Sequence, residues 1–283
     1  MDAVVVGHVT NDRLESGLSP GGAVLYAGLA LQALGARVRA ITAHGPEFVG
    51  VDALASLGGS RVTACARTCT FEEHYRGGRR RARLLATAER LQPKEVSADL
   101  VLLGPVAGEI GDPEPWVRRA GFRAATLQGW LRSFDAQGQM RADRPVEPDA
   151  FRGFDLLCCS DEDLAGEPQL EQALRPRVAV MAVTLGALGA RVHAHGASWT
   201  IPSYPADERD PTGAGDVFAA VLAWGLCRGD SAVLAALRAN RAGAWAVERI
   251  GLEGARRAGE VQTFEPDLRL ARPLSASGRI SRG

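Results

Sequence analysis

The 283-residue sequence has little that ties it to a metal, a disulfide framework, a membrane or a nucleic acid. Its five cysteines are odd in number and irregularly spaced, which argues against a zinc site or a disulfide framework. Thirty-three basic and thirty-three acidic residues balance to zero formal charge, so no bulk attraction to nucleic acid or a membrane surface is expected. No apolar run approaches the roughly 20 residues of a membrane-spanning helix, and the start lacks a secretory signal pattern. We therefore expect a cytoplasmic protein with reduced cysteines.

Apolar runs of strand length alternate with helical patterns along most of the chain. Residues 3–9 are typical of a buried strand, and residues 21–38 have the apolar spacing of a helix. Residues 38–45 and 47–58 repeat this order. The alternation predicts an α/β fold, doubly wound, with a mainly parallel sheet and helices on both faces. Further strands are predicted at 98–106, 123–129, 154–160 and 178–186, a hairpin at 189–202, and two helices after Gly215.

Residues 61–90 interrupt this alternation. Their alternating character and the Gly-Gly pair at 77–78 are typical of an antiparallel hairpin inserted into the α/β frame. Such an insertion would cover the crevice at the carboxyl ends of the strands, where α/β folds bind ligands. We expect a single domain over 1–262, with a small β lid around 61–88, and a polar, loosely ordered tail over 263–283.

The segment DPTGAGDVFAA, residues 210–220, carries the clearest chemical signal. Gly213, Ala214 and Gly215 precede an apolar helical pattern, so their backbone N–H groups would lie at a helix N-terminus, which binds anions. Asp216 beside such an anion fits a base that takes the proton of an attacking hydroxyl. A phosphate cradle next to a base is what phosphoryl transfer to an alcohol requires. The alternative is that Asp216 only stabilises the positive end of the helix.

The same segment resembles the carboxy-terminal signature of the PfkB, or ribokinase-like, carbohydrate kinases. That signature reads Asp-Thr-x-Gly-Ala-Gly-Asp before a helix of small residues, and here Pro211 stands in place of the usual Thr. Residues 7–14, 19–38 and 183–192 are similar to further family blocks and occur in the family's order. The resemblance extends over roughly residues 3–262. It implies a kinase that uses ATP and Mg²⁺.

The resemblance also implies roles for individual residues. Asp216 is expected to be the catalytic base, with Gly213, Ala214 and Gly215 as the anion hole for the transferring phosphate. The residues expected to contact the substrate are Asp12, Gly21, Gly22, Gln128 and Arg132. Those expected to contact ATP are Thr184, Gly186, Gly189 and Asn240. Asp163 is expected to hold magnesium through water. Arg132 could also pair with a phosphate, because a guanidinium binds one through two N–H groups. The alternatives are that residues 160–163 cap a helix and that Arg132 faces solvent.

Three departures from the family pattern point to the branch that includes myo-inositol kinase-like proteins. Tyr26 replaces an Asn after the Gly-Gly pair, Ser160 and Asp163 replace the Asn and Glu of the metal-linked motif, and LQGWLR occupies residues 127–132. The resemblance therefore implies ATP-dependent phosphorylation of a hydroxyl on a small polyol ring, a cyclitol such as myo-inositol or a sugar. The alternatives are a nucleoside kinase and an inactive, ligand-binding homologue. We expect a monomer or homodimer without nucleic-acid or membrane partners.

Overall fold

The computed structural model describes residues 1–76 and 79–274. In chain order, its strands are β1 (Asp2–Val6), β2 (Thr10–Leu14), β3 (Gly17–Gly21), β4 (Arg37–His44), β5 (Ser60–Ala64), β6 (Cys69–Arg76), β7 (Arg79–Ala86), β8 (Ser97–Leu103), β9 (Arg119–Thr126), β10 (Arg132–Phe134), β11 (Met140–Ala142), β12 (Leu156–Ser160), β13 (Val180–Thr184), β14 (Ala190–Ala194), β15 (Ala197–Ile201) and β16 (Arg272–Pro273). Its α-helices are α1 (Ala23–Ala33), α2 (Val51–Ala55), α3 (Glu114–Val117), α4 (Gln128–Leu131), α5 (Leu170–Leu174), α6 (Ala214–Cys227), α7 (Ala232–Val247) and α8 (Glu253–Arg256).

A large sheet forms the centre of the molecule. Within the described residues it has ten strands in the order β16-β15-β14-β13-β12-β9-β8-β1-β4-β5. Seven neighbouring strands of this sheet run parallel: β5, β4, β1, β8, β9, β12 and β13. Strands β14, β15 and β16 continue the sheet in antiparallel fashion. This confirms the predicted doubly wound α/β fold and the hairpin predicted at 189–202. None of the helices in these residues is both long enough and apolar enough to cross a bilayer.

The core lies on both faces of this sheet. Val5 packs into a cluster with residues of α1, α6 and α7, whereas Val6 packs into a second cluster with Trp116 and Trp130. Successive side chains of a strand point to opposite faces, so one apolar run such as β1 supplies both clusters. Helix α7 begins where it does because the Ser231 side chain accepts a hydrogen bond from the Leu234 N–H.

A small sheet lies beside the large one, in the order β3-β2-β6-β7. Strand β2 pairs in antiparallel fashion with β3 and in parallel with β6, with Asp12 opposite Phe71. The hairpin of β6 and β7 confirms part of the prediction for residues 61–90, but β5 pairs in parallel with β4 in the large sheet. The predicted hairpin was too long because β5 is an exposed edge strand without a continuous apolar run. The Gly-Gly pair at 77–78 lies outside the described residues.

Two further expectations need correction. The helix expected over 47–58 covers only the five residues of α2, which starts after Gly50. The tail expected to be loosely ordered has a short 3₁₀ turn at Leu268–Leu270, and β16 pairs with Trp199 and Thr200 of β15. The antiparallel edge of the large sheet offers unpaired backbone groups, and the tail satisfies some of them. Residues 275–283 lie outside the described part of the chain.

The fold brings the carboxyl ends of β1, β8, β9, β12 and β13 to one edge of the large sheet, because these strands are parallel neighbours. Gln128 follows β9, Asp163 follows β12 and Gly186 follows β13. Parallel pairing therefore gathers residues that are far apart in the sequence.

Candidate active site

A small pocket, which we call the acceptor pocket, lies at this edge beside the N-terminus of α6 and has a volume of about 40 Å³. Its lining includes Asp12, Gly22, Gln128, Arg132 and Asp216. Strand β2, the turn before α1, helix α4 and helix α6 each supply part of this set. The structure thus brings together the base and four of the five substrate residues that the sequence predicts; whether they act in these roles stays a prediction.

The fifth residue, Gly21, shapes the pocket through Asp12. Asp12 is buried, and its Oδ1 accepts a hydrogen bond from the Thr10 hydroxyl at 2.9 Å. A Cβ on Gly21 would lie 2.1 Å from Asp12 Oδ2 and 2.7 Å from Thr10 Oγ1. Any larger residue at position 21 would clash with the Asp12 carboxylate, so this position of β3 requires glycine. Gly22 lines the pocket directly and has a φ of +94°, a value that favours glycine.

The predicted anion hole lies at the N-terminus of the 14-residue helix α6. Gly213 is its N-cap with a φ of +77°, and a Cβ there would lie 2.1 Å from Cδ1 of Tyr26. The Ala214 N–H donates to the Pro211 carbonyl at 3.3 Å, which closes the turn into the helix. A Cβ on Gly215 would meet no atom within 4 Å. Packing therefore requires glycine at 213, whereas the space at 215 is open to the neighbouring cleft.

Asp216 lies in the first turn of α6 and lines both the acceptor pocket and this cleft. Gln128 Nε2 donates to Asp216 Oδ1 at 3.4 Å, a long hydrogen bond. Asp210 anchors the loop before the helix, because its two oxygens accept from the Thr212 N–H at 2.9 Å and the Gly251 N–H at 2.8 Å. A carboxylate at the junction of the two cavities is within reach of a ligand in either one.

The neighbouring cleft, which we call the donor cleft, has a volume of about 880 Å³. All four predicted ATP contacts, Thr184, Gly186, Gly189 and Asn240, line it. Asn240 is buried, and its Nδ2 donates to the carbonyls of Ile201 at 3.0 Å and of the next residue at 3.1 Å. A Cβ on Gly189 would lie 2.0 Å from the Ile201 carbonyl oxygen. Both residues hold the chain after β15 against the cleft, and their contact with a nucleotide stays a prediction.

The loop after β12 is acidic, and hydrogen bonds between its own residues Ser160 and Asp163 hold it in place. Asp163 Oδ2 accepts from the Ser160 N–H at 3.0 Å and from its hydroxyl at 2.8 Å, and the Asp163 N–H donates to Ser160 Oγ at 3.0 Å. The expected helix N-terminus is not formed, because residues 161–166 make turns and α5 begins only at Leu170. Among the described residues, no three His, Cys, Asp or Glu side chains are grouped to hold a metal. The magnesium role of Asp163 stays a prediction.

Sequence reasoning missed two aromatic residues of the site. Tyr26 lines the acceptor pocket and packs against Gly213; its departure from the family pattern was the available signal. Tyr204 lines the donor cleft, and its buried hydroxyl has no hydrogen-bond partner in the described part of the chain. Burial raises the pKa of this phenol. A lone tyrosine between Pro202 and Pro205 was its only signal.

Comparison with known proteins shows which family the chain resembles. The sequence model described as "pfkB family carbohydrate kinase" matches residues 133–256. An "Inositol 3-kinase" of Oryza sativa subsp. japonica is 28% identical over 95% of this chain and 71% of that protein. An "Inositol 3-kinase" of Zea mays is 32% identical over 58% of this chain and 41% of that protein. These matches confirm the resemblance of the chain to the pfkB family of carbohydrate kinases.

The solved structures agree on the fold of this kinase. A "Pyrophosphate-dependent kinase in the ribokinase family complexed with a pyrophosphate analog and myo-inositol" matches with a TM-score of 0.74 at 20% identity, over 89% of this chain and 98% of that chain. At this identity the match shows the ribokinase-like fold alone. The match to the family model and the curated relatives confirm the kinase predicted from the motifs and support a kinase of the sugar and cyclitol class.

Proposed function

We propose that this kinase phosphorylates a hydroxyl of a small polyol ring, a cyclitol such as myo-inositol or a sugar, with ATP as donor. One observation carries the proposal: a compact polar acceptor pocket meets a much larger donor cleft at Asp216 and Gly213. A base at the junction of two cavities of such unequal size is what transfer from a large donor to a small acceptor needs.

The acceptor pocket favours a polyol over a nucleoside. Carboxylates of Asp12 and Asp216 and the amide of Gln128 offer hydrogen bonds to several hydroxyls of one ring. A nucleoside needs, in addition, a flat apolar slot for its base, and Phe71 and Tyr26 are the aromatic residues among the described lining of the pocket. The relatives named inositol 3-kinase support a cyclitol. A nucleoside acceptor is the second candidate.

The donor cleft favours a nucleotide over pyrophosphate. Its volume of about 880 Å³ is that of a site for a drug-sized molecule, and part of its lining is apolar, including Pro205, Ala244 and Val247. Pyrophosphate is small and has no apolar part, so it would leave most of this volume and the apolar lining unused. Among the described residues that line the cleft, five carry carboxylates and one, Arg132, is basic. Pyrophosphate is nevertheless tested, because a protein of the same fold is named as pyrophosphate-dependent.

Carboxylate oxygens are the hard ligands that Mg²⁺ prefers, so Asp163 on the cleft wall fits an ion that takes its remaining ligands from water and the donor phosphates. Asp163 Oδ2 is already bonded to Ser160, so Oδ1 would hold the ion, through water. Magnesium bound with the donor would neutralise part of the phosphate charge.

In the proposed reaction, Asp216 takes the proton of the acceptor hydroxyl. The acceptor oxygen forms a bond to the γ-phosphorus as the bond from that phosphorus to the β–γ bridging oxygen breaks, and ADP leaves with that electron pair. Backbone N–H groups of residues 213–215 stabilise the charge on the transferring group. The small sheet, with Phe71 and Ala82 lining the pocket, would exclude water as the proposed lid. A cytoplasmic location, and a monomer or homodimer, remain part of the proposal.

Release of ADP or of phosphate tests this function. Purified protein with Mg²⁺ is mixed with ATP or pyrophosphate and a panel of cyclitols, sugars and nucleosides. For the wild type, we expect product release that needs both ATP and one polyol. In Asp216→Asn, we expect kcat to decrease by about 10²–10⁴-fold while the melting temperature stays the same. Asp207→Asn is the matched control, because that side chain is 83% exposed and 3.6 Å from Arg209. Full activity of Asp216→Asn would refute the base; ATP binding without turnover for every acceptor would favour the inactive homologue.

A further inference from the structure

Arg132 lies where the acceptor pocket meets the donor cleft, and it lines both. It follows α4 directly and begins β10, which pairs with β11 in a separate two-stranded sheet. Of the described residues that line either cavity, Arg132 is the sole lysine or arginine. Sequence reasoning placed it among the substrate contacts and allowed it to pair with a phosphate, and the structure adds its position between acceptor and donor.

The guanidinium of Arg132 is buried with incomplete bonding. The side chain is 12% exposed, and Nε is buried without a hydrogen-bond partner in the described part of the chain. Nη2 lies 4.0 Å from Asp163 Oδ1, which is an ion pair but too long for a hydrogen bond. A buried charged donor left unbonded is destabilising, so such a group usually has a ligand.

Arg191 shows what a satisfied arginine looks like in the same protein. Its Nε and Nη2 donate to the two oxygens of Glu171 at 3.3 Å and 2.8 Å, in the paired geometry typical of a guanidinium and a carboxylate. Arg132 presents the same two N–H groups without such a partner. An anion with two oxygens in one plane would complete the arrangement, and phosphate has that geometry.

Electrostatics point to the same ligand. The carboxylate of Asp12 lines the acceptor pocket, those of Asp161 and Asp163 line the donor cleft, and that of Asp216 lines both. A phosphoryl group that passes between the cavities crosses a region rich in negative charge. A fixed cation at the crossing lowers this repulsion, and the effect is strong where water is excluded.

We propose that Arg132 binds the phosphoryl group during transfer, with Nε and one terminal N–H donating to two of its oxygens. The guanidinium stays protonated throughout, and the bonds that form and break are those of the proposed reaction, on which this inference rests. Asp163 is its weak partner in the absence of phosphate. Arg132 would then be a catalytic residue, additional to the anion hole, and would also bind inorganic phosphate without any turnover.

Binding of inorganic phosphate tests this directly. Melting temperature and calorimetric titration are measured against phosphate concentration at constant ionic strength for wild type, Arg132→Gln, Arg132→Lys and Arg141→Gln. Arg141 is the matched control, because it lies on β11, is 64% exposed and pairs loosely with Asp135 at 3.8 Å. We expect about a 10- to 100-fold weaker Kd in Arg132→Gln, a smaller loss in Arg132→Lys and none in Arg141→Gln. Equal phosphate affinity in wild type and Arg132→Gln, including no detectable binding by either, would overturn the proposal.

Turnover provides the second measurement and separates this proposal from the proposed function. We expect kcat of Arg132→Ala to be about 10²- to 10³-fold lower, with partial rescue by added guanidinium, which a purely structural role would not show. Loss of turnover with unchanged phosphate affinity and no rescue would overturn the role of Arg132 and leave the kinase standing. Weakened phosphate binding in Arg132→Gln, in a wild type that turns over no acceptor, would support Arg132 and contradict the polyol kinase.

Discussion

Two glycines at the start of α6 should respond in opposite ways to the same substitution. Gly213→Ala places a Cβ at a φ of +77° and 2.1 Å from the Tyr26 ring. Gly215→Ala places a Cβ where no atom lies within 4 Å, on the wall of the donor cleft. The first change should cost stability, and the second should cost activity.

The magnitudes follow from these contacts. A left-handed φ costs alanine about 1 kcal/mol or more relative to glycine, and moving the Tyr26 ring adds about 1–3 kcal/mol of overpacking. Gly213→Ala should therefore lower the melting temperature by on the order of 5–10 °C. Gly215→Ala should leave it unchanged or slightly higher, because alanine is the better helix former by about 1 kcal/mol. Its methyl group would displace a phosphate from the backbone N–H groups, and a shift of about 1 Å can reduce the rate about 100-fold.

Thermal melting and ADP release on the same samples measure both effects. A Gly215→Ala variant with wild-type kcat/KM would refute the assignment of residues 213–215 as the anion hole. A Gly213→Ala variant as stable as wild type would refute the packing against Tyr26. Combining Gly213→Ala with Tyr26→Ala should cost less than the sum of the two single changes, because the smaller side chain removes the clash.

Two further predictions concern the donor cleft and stability at low pH. Asn240→Ala should remove the two hydrogen bonds to the carbonyls of Ile201 and Pro202, lower stability by about 1–3 kcal/mol and raise KM for ATP more than it changes kcat, as steady-state kinetics would show. An unchanged KM would contradict this role. Burial disfavours the charge of Glu171, but hydrogen bonds from His193 and Arg191 outweigh it and lower the pKa to about 2 from 4.5. The ionised form therefore contributes stability above its unfolded pKa, and that contribution is lost as pH falls from about 5 toward 2. Glu171→Gln should be less stable at neutral pH and lose less on acidification, and melting curves parallel to wild type would refute this.

Local sequence pattern was enough to predict the alternating strands and helices of the fold and the chemistry of residues 213–216. Buried strands such as β1 and β13 are short apolar runs, and the helical pattern after Gly215 is long and unbroken, so neither depends on distant residues for recognition. The order of Gly213, Ala214, Gly215 and Asp216 before that helix is likewise a local arrangement. Helix N-terminal N–H groups and a following carboxylate are neighbours by covalent geometry alone.

Pattern failed where tertiary pairing decided the outcome. Strand β5 is polar and exposed, and only its pairing with β4 makes it part of the large sheet. Strand β2 reads as a continuation of β1, yet it pairs with β6 in the small sheet and so brings Asp12 beside Phe71. The sequence of a single strand does not indicate which distant strand it will pair with.

The sequence by itself determined the α/β class, the resemblance to the pfkB family and the residue types of the site, because these depend on period, composition and adjacency. The tertiary structure decided which residues meet. It packed Tyr26 against Gly213, set Gln128 within 3.4 Å of Asp216, and left Arg132 buried and incompletely bonded between the two cavities. Distance and burial are properties of side chains from different elements packed together, and they exist only once the chain has folded.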